Sequence, residues 1–134
     1  MPGSGICACG NVCFEYSGEP VLTALCHCTE CQRWSGSAFS SNVAVPTAHF
    51  SVTKGEPKCW TRLGVVTGKE HHHFFCGDCG TSLYSQPEAM AGVTQIKAGS
   101  LRETNIPIGA EIFVTRRQNY VSLVEGAQQA TDMP

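Results

Sequence analysis

Cys26-His27-Cys28-Thr29-Glu30-Cys31 places three thiols in one short stretch, spaced C-x-C-x-x-C. Two other clusters answer it: Cys7-Ala8-Cys9 upstream, and Cys76-Gly77-Asp78-Cys79 well downstream. Thiols gather in this way to hold a soft metal, to exchange disulfides, or to staple a secreted domain. The surrounding sequence decides among these.

The chain has 134 residues, of which 42% are hydrophobic, so one domain can bury a core without staples. The formal net charge is −2, which gives no general basic field for nucleic acid or an anionic membrane. Met1-Pro2-Gly3-Ser4-Gly5-Ile6 lacks the basic and apolar regions of a secretory signal, and no apolar run reaches the ~20 residues of a spanning helix. A soluble cytoplasmic protein is expected. There, cysteines stay reduced and clusters point to metal or catalysis; the odd total of nine agrees. The composition carries no signature of oligomeric state.

Taken in order, the chain reads as many short strands. They are expected at Val12–Tyr16, Ser40–Val45, His49–Thr53, Lys58–Leu63, His71–Phe75, Thr81–Ser85, Val93–Ala98 and Glu111–Val114. Gln32–Phe39 has room for one helical turn before Gly36, and short helical turns are expected at Gln86–Ala91 and Leu101–Thr104. No long segment has a 3.6-residue period, so the expected class is mainly β, with one domain over residues 1–124 and a polar tail over 125–134. Cys13 and Cys59 read as small core residues. Alternation along a strand turns His71, His72 and His73 to opposite faces, so the run reads as structural and not as one metal site.

Two C-x-x-C-like turns can close a tetrahedral zinc site. Cys76-Gly77-Asp78-Cys79-Gly80 suits such a turn, because glycine permits positive φ. Its partner could be Cys7 and Cys9, leaving Cys26, Cys28 and Cys31 as a separate set with one coordination position open to water or substrate. Alternatively, Cys28 and Cys31 pair with Cys76 and Cys79 as in a zinc ribbon. Spacing alone allows both. A dithiol redox role for Cys28 and Cys31 lacks the βαβ context it requires.

Several segments together resemble the glutathione-dependent formaldehyde-activating enzymes and their centromere protein V relatives. They are Gly5-x-Cys7-x-Cys9-Gly10-x-Val12, Cys26 to Arg33 with Gly36-Ser37-Ala38-Phe39, Phe75-Cys76-x-x-Cys79-Gly80-Thr81-x-Leu83, and Ala98-Gly99-Ser100-Leu101. The likeness runs in order from about Gly5 to Leu123. It implies an Mss4-like, β-tent fold with two zinc ions, a structural one on Cys7, Cys9, Cys76 and Cys79 and a catalytic one on Cys26, Cys28 and Cys31. It implies carbon–sulfur lyase activity on a glutathione adduct of the S-hydroxymethylglutathione type, with glutathione as co-substrate and an aldehyde that need not be formaldehyde. The chain departs from the family where His71-His72-His73 replaces an arginine common before the second cysteine pair, and where Trp60 replaces tyrosine.

Glutathione carries two carboxylates, and Arg33, just beyond Cys31, is the first candidate to bind them; Arg62, Lys97 and Arg102 are others. Glu30 and His27 adjoin the thiols in sequence. The alternative function is a non-catalytic zinc module that binds a protein partner.

Overall fold

Apolar runs become strands where alternate side chains find a core. The computed structural model describes residues 3–132. In chain order the strands are β1 (Gly3–Ile6), β2 (Cys13–Tyr16), β3 (Leu22–Cys26), β4 (Ser40–Pro46), β5 (Phe50–Lys54), β6 (Lys58–Leu63), β7 (Glu70–Phe75), β8 (Ser82–Pro87), β9 (Val93–Lys97), β10 (Ala110–Ile112) and β11 (Gln128–Gln129). The α-helix, α1, spans Thr29–Ser35. The chain is therefore a mainly β single domain.

Strands β1, β2 and β5 form a three-stranded sheet in the order β1-β2-β5. The others form an eight-stranded sheet in the order β11-β10-β3-β4-β9-β8-β7-β6. Strand β10 runs parallel to both β3 and β11, and the remaining neighbours are antiparallel. One core joins the sheets: Phe14 and Tyr16 of β2 meet Val43 and Val45 of β4, Tyr84 of β8 and Ile96 of β9. The Phe50 and Tyr84 rings lie 4.6 Å apart, as do those of Phe74 and Tyr84. Gly5 lets β1 lie over this core, since a Cβ there would stand 2.1 Å from the Phe14 ring.

The other face of the large sheet has a different character. Cross-strand register lines up Ala24 with Asn42 and Lys97, and Ala44 with Gln95 and then Ser85. It sets Arg62 opposite His71, and His71 opposite Pro87. Polar groups here are too many for a core, and α1 lies over part of this face, its Trp34 ring 4.5 Å from that of His73.

Several local expectations need correction. Gln86 and Pro87 finish β8, and a three-ten turn at Glu88–Met90 follows. Leu101–Thr104 is not helical: Leu101 bridges Gly5, and the Arg102 amide donates to the Ser4 carbonyl at 2.9 Å, so β1 takes the backbone groups a helix would use. Cys59 is exposed, because β6 is an edge strand, and Cys13 is only half-buried. Within the polar segment after Val124, Gln128 and Gln129 add β11 to the sheet. Met1, Pro2, Met133 and Pro134, the ends of the expected domain and tail, lie outside the described residues. Among the described residues no helix is long and apolar enough to cross a membrane.

Candidate functional site

Two turns of the same design carry the first thiol group. In one, the Cys7 amide donates to the Val12 carbonyl and the Gly10 amide to the Cys7 carbonyl, at 3.0 and 3.1 Å. In the other, the Cys76 amide donates to Thr81 and the Gly80 amide to Cys76, at 3.0 and 2.8 Å. Gly10 and Gly80 end the turns at φ 83° and 78°, the left-handed region that glycine enters without strain. The turns are tied together by Ala8 N–H to Thr81 Oγ1 at 3.0 Å and by Asn11 Nδ2 to Asp78 Oδ2 at 3.0 Å.

This brings the ligand atoms of Cys7, Cys9, Cys76 and Cys79 within 4.8 Å of one another. Cys7 and Cys9 sulfurs are 3.6 Å apart, and Cys9 and Cys76 sulfurs 3.7 Å. Zinc–sulfur bonds of ~2.3 Å at tetrahedral angles require sulfurs ~3.8 Å apart, so the set suits a four-thiolate zinc site. The Thr81 hydroxyl lies 3.1 Å from Cys79 Sγ, and hydrogen bonds from Thr81 hold this thiol down to about 5.

The second group lies where β3 ends and α1 begins. Cys28 is the N-cap of α1, and its sulfur accepts the Cys31 amide at 3.3 Å. Gly36 stops the helix in the left-handed conformation, φ 64°. Cys26, Cys28 and Cys31 thereby converge within 4.8 Å. Hydrogen bonds from Cys26 and Cys31 hold Cys28 down to about 2, while the same neighbourhood pushes Cys26 far up. Three sulfurs this close ionise together only around a cation, which suits a soft metal with three thiolate ligands.

These three thiols, and none of the other four, line a cavity of ≈ 160 Å³. Arg62 lines it too and is held by three partners. It forms an ion pair with Glu30, donates from Nε to His73 Nε2 at 2.9 Å, and approaches His71 Nδ1 with its Nη2 at 3.2 Å. A guanidinium only donates, so His71 carries its proton on Nε2. That nitrogen is buried without a hydrogen-bond partner among the described residues. Burial, then the Arg62 and Lys97 charges, lowers His71 to about 4; burial, then His71 and the same cations, lowers His73 to about 3. Both imidazoles are neutral at physiological pH. Lys97 donates to Asn42 Oδ1 at 2.7 Å, and burial lowers its pKa against the pull of Cys31 and Cys26.

Behind the three thiols, His27 and Glu111 are both fully buried, with His27 Nε2 2.8 Å from Glu111 Oε1. Burial would raise the Glu111 carboxyl. Hydrogen bonds from Gln129, the Val124 amide and His27, with Arg117 nearby, instead hold it down to about 2. The Gln32 side chain donates to the His27 carbonyl at 2.7 Å. The loop between Cys26 and Cys28 is thus pinned on both sides.

Of the residues singled out in the sequence, the seven clustered cysteines assemble as four and three, and the zinc-ribbon grouping does not form. Arg33 is exposed on α1 and does not line the cavity. Glu30 and Arg62 do line it. Trp34 stacks on Trp60 at 5.7 Å and walls the histidine pair, not the cavity. His72 points away from His71 and His73, toward Thr61, Glu70 and Glu88. Missed altogether was Glu111. Its signal was a lone acid within an otherwise apolar strand, but its partner His27 stands far away in sequence.

The model of the glutathione-dependent formaldehyde-activating enzyme family matches residues 2–116. A crystal structure of a Rhodobacter sphaeroides protein, a structural-genomics target, is similar in fold with a TM-score of 0.61 and 21% identity, covering 76% of this chain and 90% of that one. Comparison with curated proteins gives no match. With the family model matched over most of its length, the chain belongs to the glutathione-dependent formaldehyde-activating enzyme family.

Proposed function

We propose that the protein is a carbon–sulfur lyase that makes and breaks the bond between the glutathione sulfur and an aldehyde carbon. The observation that carries this reading is that Cys26, Cys28 and Cys31 line a cavity while the other thiol group does not. Cys26, Cys28 and Cys31 would hold one zinc ion, and Cys7, Cys9, Cys76 and Cys79 a second. A zinc ion on three thiolates supplies a fourth position at which an incoming thiol loses its proton near neutral pH.

The chain's own residues set up the rest. The glutathione sulfur adds to the aldehyde carbon, a C–S bond forms, the C=O π pair moves to oxygen, and the thiol proton ends on that oxygen. The reverse step returns thiol and aldehyde. Arg62 and Lys97 offset the negative charge of the thiolates. His71 Nε2–H is the candidate hydrogen-bond donor to the adduct oxygen, since it is neutral and His71 lines the cavity. Glu30 joins α1 to β6 through Arg62, and to the turn after β6 through the Val65 amide at 3.3 Å. It holds the thiols and the cation in one frame.

Exchange NMR on glutathione with an aldehyde measures adduct turnover directly. Turnover is expected with the zinc-loaded protein and lost at least ~100-fold in Cys28→Ala. His71→Gln is expected to lower kcat more than it raises KM, by ~10- to 100-fold. Equal exchange rates with and without protein, for every aldehyde tried, would overturn the reading.

A further inference from the structure

We infer that the cavity beside Cys26, Cys28 and Cys31 receives an apolar substituent on the adduct carbon, about the size of a phenyl ring. The substrates are then glutathione adducts of bulky apolar aldehydes, in preference to the hydroxymethyl adduct of formaldehyde. This rests on the proposed carbon–sulfur chemistry and narrows it.

Size is the first argument. The ≈ 160 Å³ space is far larger than one hydroxymethyl group requires. A dry apolar cavity of ~150 Å³ takes a benzene ring.

The lining is the second. Leu22, Ala24, Ala44, Met90, Ile112 and Phe113 all line the cavity, with Asn42 and Gln95 beside the two alanines. Ala24 and Ala44 lie on the polar face of the sheet, where small side chains leave the floor open. Phe113 stands in the left-handed region at φ 55°, the one non-glycine residue to do so among the described residues. A bulky aromatic pays for that conformation, and here the result is a ring at the cavity wall beside Ile112.

The rim is the third argument. Val65 and Val66, on the turn between β6 and β7, line the same cavity yet are 81% and 74% exposed. Apolar side chains left open at a cavity mouth are covered when an apolar ligand enters. Polar side chains line the cavity too: Glu30, Arg62 and His71 beside the thiols, and Thr67, Lys69 and Glu70 on and just after the turn that carries the valines. The groups beside the thiols suit the polar carbinol–sulfur centre of such an adduct, and the apolar side chains leave contact surface for its tail.

Two stable thioethers, S-methylglutathione and S-benzylglutathione, test this by calorimetry on the zinc-loaded protein. The benzyl compound is expected to bind at least ~tenfold more tightly, the scale on which apolar pockets discriminate. Val66→Asp, at the exposed rim, is expected to shrink that ratio several-fold, and Ala44→Met, which fills the floor, to abolish it. If Ala44→Met does not fold, Val66→Asp alone decides. Turnover of phenylacetaldehyde with glutathione is expected to exceed that of formaldehyde by a similar factor. Equal affinities, with turnover of formaldehyde intact, would overturn the inference and leave the lyase reading standing. A benzyl preference without turnover of either aldehyde would overturn the lyase reading and retain the apolar site.

Discussion

Cys7, Cys9, Cys76 and Cys79 sit on two turns of matching backbone design, joined by hydrogen bonds across them. Cys26, Cys28 and Cys31 sit where a strand becomes a helix, backed by the buried His27–Glu111 pair and faced by a cavity with a tethered arginine. Both groups offer the same donor atom. They differ in what surrounds it. The four-thiol group closes on itself and links β1–β2 to β7–β8, so its loss is expected to be a loss of architecture. The three-thiol group borders a cavity with Arg62 at its wall, so under the proposed function its loss is expected to be a loss of chemistry.

The largest expected effect comes from breaking the closed group. Cys76→Ala removes a fully buried sulfur from the link between the two sheets. Structural zinc sites contribute ~10–16 kcal/mol in small folds, as much as the ~5–15 kcal/mol net stability of a domain. The variant is expected to lack a cooperative thermal transition by circular dichroism. A melt within a few degrees of the unaltered protein would contradict the structural role. Cys28→Ala is the matched change at the open group. It is expected to keep its transition to within about 10 °C, scaling from the ~4–8 °C per kcal/mol of small domains, while zinc per chain falls by one and turnover disappears.

Glu111→Gln sharpens the contrast. It leaves the cysteines in place but removes the charge that His27, Gln129 and the Val124 amide hold. A loss of ~2–4 kcal/mol in urea unfolding is expected, with zinc affinity lowered ~tenfold at the three-thiol group only. Equal weakening at both groups would mean the pair serves the fold at large.

The smallest effect is a matter of pH. Unfolded histidine binds its proton near 6.5, whereas His73 in the folded protein does so only near 3. The neutral ring's contribution is therefore complete above pH 6.5 and is lost as pH falls from there toward 3. His73→Gln is expected to flatten the fall in stability across that window relative to the unaltered protein. An unchanged slope would show that His73 does not supply it.

Many of the strand positions along the chain were legible, because alternation and glycine or proline punctuation act locally. The helix stop was readable from Gly36, and the paired turns from Gly10 and Gly80, but the helix begins at Thr29, before the turn expected within Gln32–Phe39. Register was not legible. Nothing in the sequence says that Arg62 faces His71, or that Lys97 faces Asn42, since those pairings depend on which strands become neighbours. For the same reason His71-His72-His73 was understood as alternating, while the link of His71 and His73 to Arg62 was not foreseen. Arg33 drew attention by lying near Cys31 in sequence, yet helical geometry leaves it exposed and turns Glu30 to the cavity instead. Cys59 looked apolar enough for the core, but only strand order reveals an edge.

The division of labour between the two groups is tested most directly with cobalt in place of zinc, reading the sulfur-to-cobalt charge-transfer absorption while glutathione is added. The unaltered protein is expected to bind two cobalt ions and to gain thiolate absorption on titration. Cys28→Ala, still folded, is expected to keep the absorption of the four-thiol group and to show no response to glutathione. A response that persists in Cys28→Ala, or none in the unaltered protein, would contradict an open three-thiol site.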